Sequence, residues 1–133
     1  CNISFGDANS MIKELKKLNT NTQNLIFSQV VPSYTDSSIP VVFEYQNLMK
    51  KYYPNEELGF LSLEAFLSTK VLVNAISRIQ GDITREKFIY MLKTTPSKLL
   101  GGIDINFEKT QLLNCVYLFE YKNNQFLELK NEK

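Results

Sequence analysis

The segment Leu25-Ile-Phe-Ser-Gln-Val-Val-Pro32-Ser-Tyr34 decides the fold of this chain. β-Branched and aromatic side chains fit the pleated surface of a strand, so we expect a strand from Leu25 to Val31. Pro32 has no N–H group to donate to a neighbouring strand, and the strand should end there. The polar residues from Ser33 to Ser38 then lead to Pro40, which indicates a crossing between two packed bodies.

A short strand and a helix are expected before this segment. Asn2 to Phe5 is apolar and is followed by a turn. Apolar residues at helical spacing then predict an amphipathic helix from Ala8 to Leu18, with Asp7 or Asn9 as its N-cap. The order strand, helix, strand predicts a βαβ unit whose two strands are parallel.

Helices dominate the middle of the chain. The apolar spacing predicts one helix that begins at Pro40 and stops before Pro54. A longer helix is expected from Leu61 to Ile79, and its apolar residues occupy more than one stripe, so it should be buried on several sides. Another helix should begin after the capping hydroxyl of Thr84.

The last part of the chain has the pattern of strands. Gly101-Gly102 predicts a turn or a close approach, and the alternation that follows at Ile103, Ile105 and Phe107 predicts a strand. Val116 to Tyr121 and Gln125 to Leu129 are expected to pair as a terminal hairpin.

The composition excludes several classes of protein. A chain of 133 residues with a net charge of +1 is one domain by length and has no strong field to attract nucleic acid. No run approaches 18 consecutive apolar residues, so we expect no transmembrane helix. Two cysteines, Cys1 and Cys115, are too few for a disulfide framework. A bridge between them would need Cα atoms within about 7 Å.

The sequence offers little for catalysis. It contains no histidine, the commonest general base and a frequent metal ligand. It also lacks a P-loop, a G-x-S-x-G elbow, a G-x-G-x-x-G turn and a C-x-x-C motif. We therefore expect a protein that is not an enzyme, with no cofactor and no metal site.

Ordered motifs between residues 28 and 107 resemble a known family. They are Ser28-Gln-Val-Val-Pro32, Pro40-Val-Val-Phe-Glu44-Tyr45, Ser62-Leu-Glu-Ala-Phe66, Lys70-Val-Leu-Val-Asn-Ala75, Thr84-Arg-Glu-Lys-Phe-Ile89 and Gly101-Gly-Ile-Asp-Ile-Asn-Phe107. Together they resemble the carboxy-terminal part of type I periplasmic binding proteins of the branched-chain amino acid class. Ala65 departs from the glycine that is frequent in the family, which leaves the helix intact.

The resemblance implies an α/β fragment of a periplasmic-binding-protein-like type I fold. Its lobes would be three-layer α/β/α, with a mostly parallel sheet and a terminal hairpin. Residues 1–31 would be a βαβ segment of the second lobe. Residues 32–98 would form an interlobe crossing and helices that pack on the first lobe, and residues 99–133 a return crossing and the terminal strands.

Whole proteins of this family are considerably longer, so we expect the chain to be a fragment, although a mature lipoprotein also begins with cysteine. Leu63, Phe66 and Leu72 would then lack their usual sheet. The resulting apolar patch predicts packing against the amino-terminal part of the same protein or against a second copy.

The function implied by the resemblance is solute binding in the periplasm or outside a bacterial cell. The protein would capture a small polar ligand, such as an amino acid or a related metabolite, for the membrane permease of an ABC transporter. Closure of a hinge around the ligand would change the surface seen by that partner. Three alternatives stay open: the ligand-binding sensor domain of a signalling receptor, a small flavodoxin-like α/β enzyme, and an interaction module without a ligand.

Five residues are candidates for contact with the ligand. Phe5, Gly6 and Asp7 follow the first strand, and open α/β sheets bind ligands at the carboxyl ends of their strands. The family places an acidic or polar group here, near the ligand's ammonium, which needs a partner when buried. Phe60 and Ser62 lie near the cleft in the family, although core packing of Phe60 and capping by Ser62 would also explain them.

Tyr34 and Glu64 have simpler explanations. Tyr34 lies on the crossing, where it would line the cleft or stiffen the hinge. Glu64 lies in the first turn of a helix, where the helix dipole alone favours an acid.

Overall fold

The computed structural model describes residues 2–4, 6–107, 113 and 115–129. In chain order they form β1 (Asn2–Ser4), α1 (Ala8–Lys17), β2 (Leu25–Gln29), α2 (Pro40–Tyr52), α3 (Phe60–Ser77), α4 (Arg85–Lys93), β3 (Tyr117–Lys122) and β4 (Gln125–Glu128). The predicted α/β class, the four helices and the terminal hairpin are confirmed within these residues. Phe5 and Cys1 lie outside them.

The four strands form one sheet in the order β1-β2-β3-β4. β1 and β2 are parallel, as the βαβ pattern predicts, and Ile3 pairs with Ile26. β3 runs antiparallel to β2, and β4 antiparallel to β3. In the described sheet β1 and β2 are parallel, and the terminal hairpin supplies the two antiparallel strands.

Strand β2 is two residues shorter than the sequence predicts. Its last residue, Gln29, pairs with Tyr117, the first residue of β3, so Val30 and Val31 have no strand opposite them among the described residues. Val31 is buried in the core instead. Val31 is therefore buried because its side chain is apolar. The hydrogen-bonded pairing of β2 ends at Gln29 because β3 begins at Tyr117.

Helix α1 begins at the carboxyl end of β1. Asp7 is its N-cap, and the carboxylate accepts a hydrogen bond from the backbone N–H of Ser10 at 3.1 Å. Lys16 and Lys17 lie in the last turn, where they complement the helix dipole. Thr84 caps α4 in the same manner through the N–H of Lys87. Both caps agree with the sequence prediction.

One buried apolar cluster joins the sheet to α1, α2 and α3. It consists of Ala8, Ile12, Phe27, Val31, Val41, Val42, Tyr45, Phe60, Leu63, Leu67, Val71, Leu100, Ile103, Ile105, Phe119 and Tyr121. All three sequence segments proposed above contribute to it. The assignment of those segments to two lobes remains a prediction.

Helix α3 buries a single stripe rather than several sides. The stripe is Phe60, Leu63, Leu67, Val71 and Ala75. Leu61, Leu72, Val73 and Ile76 are exposed, which corrects the expectation of burial on several sides. Leu63 is fully buried against the chain's own core, so its predicted exposure was wrong, whereas Leu72 is exposed as expected.

The same helix is long and apolar enough, by length and composition only, to cross a membrane. This is weak evidence, since helices in the core of soluble proteins also meet that criterion.

The segment after α4 packs without forming the predicted strand. Gly102 has φ +85°, and a Cβ there would lie 3.0 Å from Ile39 Cγ2 and Pro40 Cδ, so the close approach is confirmed. Ile103 and Ile105 are buried, but the only pairing described here is an isolated bridge between Leu100 and Ile103. The Ile105 N–H donates to Ser97 O, and the segment therefore folds back on itself.

The hairpin turn between β3 and β4 is made by Asn123 and Asn124. Both have positive φ, 52° and 62°, the conformation that a tight hairpin turn requires and that asparagine tolerates. Just before β3, Cys115 is exposed and has a free thiol. A bridge to Cys1 cannot be placed, because Cys1 is outside the described residues.

Candidate functional site

A pocket of about 280 Å³ lies at the carboxyl ends of the parallel strands β1 and β2. Its lining residues are Gly6, Asp7, Ser28, Gln29, Val30, Leu61 and Glu64. Three elements therefore build it: the β1–α1 junction, the end of β2 and the start of α3. Because α3 begins at Phe60, Glu64 lies just beyond the first turn, and not within it as predicted from the sequence. Open α/β sheets bind ligands at this end of their strands.

Asp7 has two environments within one carboxylate. Its Oδ2 atom accepts hydrogen bonds from the backbone N–H and the hydroxyl of Ser10. Its Oδ1 atom is buried and has no hydrogen-bond partner among the described residues. Burying an acceptor without a donor costs about 1–3 kcal/mol, so Asp7 would gain if its side chain turned to bring this oxygen to a donor in the pocket.

A hydrogen bond from the end of β2 holds the β1–α1 junction in place at the pocket. Gln29 Nε2 donates to the carbonyl oxygen of Gly6 at 3.2 Å. This bond joins the ends of the two strands and holds the β1–α1 junction against β2. The position of Gly6 and Asp7 is thus fixed by the sheet rather than by a loop alone.

The charge of the lining has one sign. Among the described lining residues, Asp7 and Glu64 are charged and none is lysine or arginine. Val30 and Leu61 supply exposed apolar surface beside them. Such a pocket suits a small ligand that carries a positive group and an apolar part.

The structure brings together only some of the residues predicted from sequence. Gly6 and Asp7 line the pocket, whereas Phe60 and Ser62 are not among its lining residues. Phe5 lies outside the described residues. Ser62 points its hydroxyl at Tyr45 and at the Gly59 carbonyl, at 2.6 and 3.1 Å. The ligand contacts of Phe5, Phe60 and Ser62 remain predictions.

Phe60 lies in the core directly beside the pocket. Its side chain is 1% exposed, and its ring packs against Tyr34, Phe119 and Phe126 with centroid distances of 4.9, 4.8 and 5.2 Å. The next residue, Leu61, lines the pocket. Phe60 therefore anchors the start of α3 on the sheet.

Tyr34 packs against Phe60 and is not among the described lining residues of the pocket. It lines a separate cavity of about 260 Å³ together with Asn9, Lys16 and Tyr121. Burial raises the pKa of its hydroxyl, and the hydrogen bond from Asn9 partly opposes that rise. Because Tyr34 also packs edge-to-face on Phe60, the structure favours a stiffening role for it.

Five of the described lining residues were not predicted from the sequence. Ser28, Gln29 and Val30 lie at the end of β2, and the rule that pointed to Asp7 after β1 applies equally to them. Glu64 was assigned only to the helix dipole, and Leu61 only to the helix. Their place in the pocket depends on how the start of α3 packs on the sheet, which periodicity does not reveal. In the part of the chain that is described, no group of three His, Cys, Asp or Glu side chains could hold a metal ion.

Solved structures share this fold over almost the whole chain. A possible leucine/isoleucine/valine-binding protein from Rhodopirellula baltica SH 1 superposes with a TM-score of 0.78 and 27% identity, covering 96% of this chain and 34% of that protein. The fold is that of a type I periplasmic binding protein. The resemblance stated from the sequence motifs is thereby confirmed at the level of fold.

Two further solved structures have the same type I periplasmic-binding-protein fold. A substrate-binding periplasmic protein from Ralstonia solanacearum gives a TM-score of 0.76 at 21% identity, covering 96% of this chain and 37% of that one. An extracellular ligand-binding receptor from Verminephrobacter eiseniae gives 0.75 at 20% identity, covering 94% and 36%.

The chain spans about a third of the length of each of these proteins. No protein-family model matches it, and no curated protein sequence matches it significantly. The structures that it resembles are binding proteins rather than enzymes.

Proposed function

We propose that this chain is part of an extracytoplasmic solute-binding protein that captures a small polar ligand, an amino acid or a related metabolite. The observation that carries the proposal is the pocket at the ends of β1 and β2, which is lined by Asp7, a carboxylate whose Oδ1 atom has no hydrogen-bond partner among the described residues. A ligand ammonium group would supply the missing donors and the opposite charge.

The size and charge of the pocket support the same ligand class. Known ligand pockets measure roughly 300–1,000 Å³, so a cavity of about 280 Å³ suits a small metabolite or part of one. The carboxylates of Asp7 and Glu64 favour a cationic group, and Leu61 and Val30 favour an apolar side chain. An aliphatic amino acid, the ligand class named for the Rhodopirellula protein, carries both of these groups beside its carboxylate.

The exposed stripe of α3 supports a larger binding site than this chain alone provides. Leu72, Val73 and Ile76 expose apolar surface on a helix whose other stripe is in the core. Because the solved neighbours are about three times as long, we propose that the rest of the same protein covers this face. That second body would close over the ligand, and a second copy of the chain is the alternative occupant.

The downstream partner defines two versions of this function. In the first, the closed protein delivers its ligand to the permease of an ABC transporter in a bacterial envelope. In the second, it is the ligand-binding domain of a sensor, which the likeness to the Verminephrobacter receptor supports. Both use the same pocket and require no cofactor, and neither involves a chemical step.

A thermal-shift screen of the full-length protein tests the proposal. Each common amino acid and its amide is added in turn at millimolar concentration. A true ligand at 100 times its dissociation constant stabilises the folded state by about 2.7 kcal/mol through mass action. A rise in melting temperature with a subset of these compounds is the expected result. If none of them raises it, the solute-binding proposal fails for this ligand class.

A further inference from the structure

The amino end of α3 is capped from a distance by α1. Gly59 is the N-cap residue and has no side chain to offer, although the first N–H groups of a helix need external acceptors. Asn9 Oδ1 accepts the Phe60 N–H at 3.3 Å, and the Tyr45 hydroxyl accepts the Gly59 N–H at 3.3 Å. Asn9 thus performs, across 51 positions of sequence, the role usually given to a local Ser or Asp.

The other half of the same amide holds the segment after β2. Asn9 Nδ2 donates to the Tyr34 hydroxyl at 3.0 Å, and Gln46 Nε2 donates to the Tyr34 carbonyl at 2.9 Å. One side chain therefore joins α1, the segment after β2 and α3. The bond that Asn9 Oδ1 accepts and the bond that Asn9 Nδ2 donates both require the same orientation of the amide.

Asn9 also contacts the backbone of Gly59, next to the ring pair of Tyr34 and Phe60. A Cβ added at Gly59 would lie 3.3 Å from Asn9 Oδ1. The Tyr34 ring stacks edge-to-face on Phe60 at 4.9 Å, directly beside the capped N–H.

Asn9 stands between the two walls of the pocket. Asp7 lies two residues before it at the start of α1, while Leu61 and Glu64 follow Phe60 at the start of α3. We infer that Asn9 is a positioning residue that fixes the start of α3 relative to Asp7, so that a ligand meets a preformed half-site. We call the two hydrogen bonds of the Asn9 amide, to the Phe60 N–H and to the Tyr34 hydroxyl, the clamp. The effect on the ligand rests on the proposed function, whereas the clamp itself does not.

A preformed half-site raises affinity because the ligand does not have to order the two walls itself. If the starts of α1 and α3 are fixed relative to each other, another part of the protein has to move when the site closes. The walls formed by α1 and α3 would move together as one unit, so on this inference the start of α3 belongs to the same body as α1 and not to the other lobe expected from the sequence. Closing would bring the rest of the protein towards them.

The clamp is tested first without a ligand, by amide hydrogen exchange in the full-length protein. Asn9→Leu keeps a similar size but removes both hydrogen bonds, and it should speed exchange at the Phe60 N–H about tenfold relative to Val71 in mid-helix. Asn9→Asp should restore protection, since a carboxylate can accept from the Phe60 N–H and from the Tyr34 hydroxyl. Asn21→Leu, the same change in an exposed loop, is the matched control and should leave Phe60 unaffected.

The second arm measures binding with a mixture of the common L-amino acids as the probe. Asn9→Leu should raise the concentration needed for half of the maximal thermal shift about tenfold, while Asn21→Leu leaves it unchanged. Unchanged exchange at Phe60 in Asn9→Leu would overturn the clamp. Faster exchange with unchanged binding would reduce Asn9 to a helix cap and overturn the positioning role. Faster exchange in a protein that binds none of the mixture would refute the proposed function and leave the clamp supported.

Discussion

The hydroxyl oxygens of Tyr45 and Ser62 lie 2.6 Å apart, and the hydrogen bond between them joins α2 to α3. The Ser62 hydroxyl donates to the Gly59 carbonyl, and the Gly59 N–H donates to the Tyr45 hydroxyl. Since Ser62 has only one hydroxyl proton, Tyr45 must donate to Ser62. The three residues form a closed ring in which each donor is used once.

This ring predicts coupled effects on stability. Ser62→Ala and Tyr45→Phe should each lower the free energy of unfolding by about 1–2 kcal/mol, because each leaves a partly buried polar group unpaired. The double variant should cost less than the sum, by about 0.5 kcal/mol or more. Urea unfolding measures all three, with exposed Ser68→Ala on the same helix as the control. Strictly additive losses would show that the ring does not act as a unit.

Phe60 should be the most costly residue of α3 to truncate. Its ring is buried among Tyr34, Phe119 and Phe126, so Phe60→Ala should destabilise the protein by about 3–5 kcal/mol. Leu61→Ala, one position along and 62% exposed, should change stability by less than about 0.5 kcal/mol. Chemical denaturation of both variants checks the contrast, and equal effects would contradict the orientation of α3.

Tyr34 predicts a loss of stability at alkaline pH. Burial raises the pKa of its hydroxyl above the ordinary value of 10.0, so the folded state holds this proton more tightly than the unfolded state. Its contribution is fully present below pH 10 and is lost as the pH rises through the raised folded pKa. Tyr34→Phe should reduce the slope of unfolding free energy against pH above about pH 10. An unchanged slope would exclude Tyr34 as its source.

The exposed stripe of α3 predicts that Leu72 is covered in the full-length protein. There, Leu72→Asp should cost about 1–3 kcal/mol or more, because a carboxylate would be buried without a partner. Ile83→Asp, at a 64% exposed position before α4, is the control and should have little effect. If Leu72→Asp is equally harmless, no part of the protein packs on this face.

Much of the fold follows from local sequence signals. The β-branched run at Leu25, the proline at Pro40 and the capping hydroxyl of Thr84 each locate an element to within a few residues. The Asn123-Asn124 turn closes the hairpin where the polar break indicates. These signals depend on residues that are close in sequence, so they can be recognised without the tertiary structure.

The features that the sequence does not reveal depend on long-range contacts. The end of β2 at Gln29 is decided by where β3 begins, and the burial of Leu63 by the core it meets. Ile103 and Ile105 alternate like a strand, yet no strand is described beside them. Asn9 could be predicted as a cap, but only for its own helix. The pocket shares this limit, since strand-end rules locate Gly6 and Asp7 but cannot place Glu64 beside them.

The most direct test of ligand binding is isothermal titration of the full-length protein and its Asp7→Asn variant with the best ligand from the thermal-shift screen. Asparagine caps a helix about as well as aspartate, so this change removes the charge while keeping the start of α1. The account predicts an unchanged melting temperature without ligand and an affinity at least about tenfold weaker, as expected for the loss of a charged hydrogen bond of about 1.5–3 kcal/mol. An Asp7→Asn variant that binds the ligand as tightly as the parent protein would contradict it.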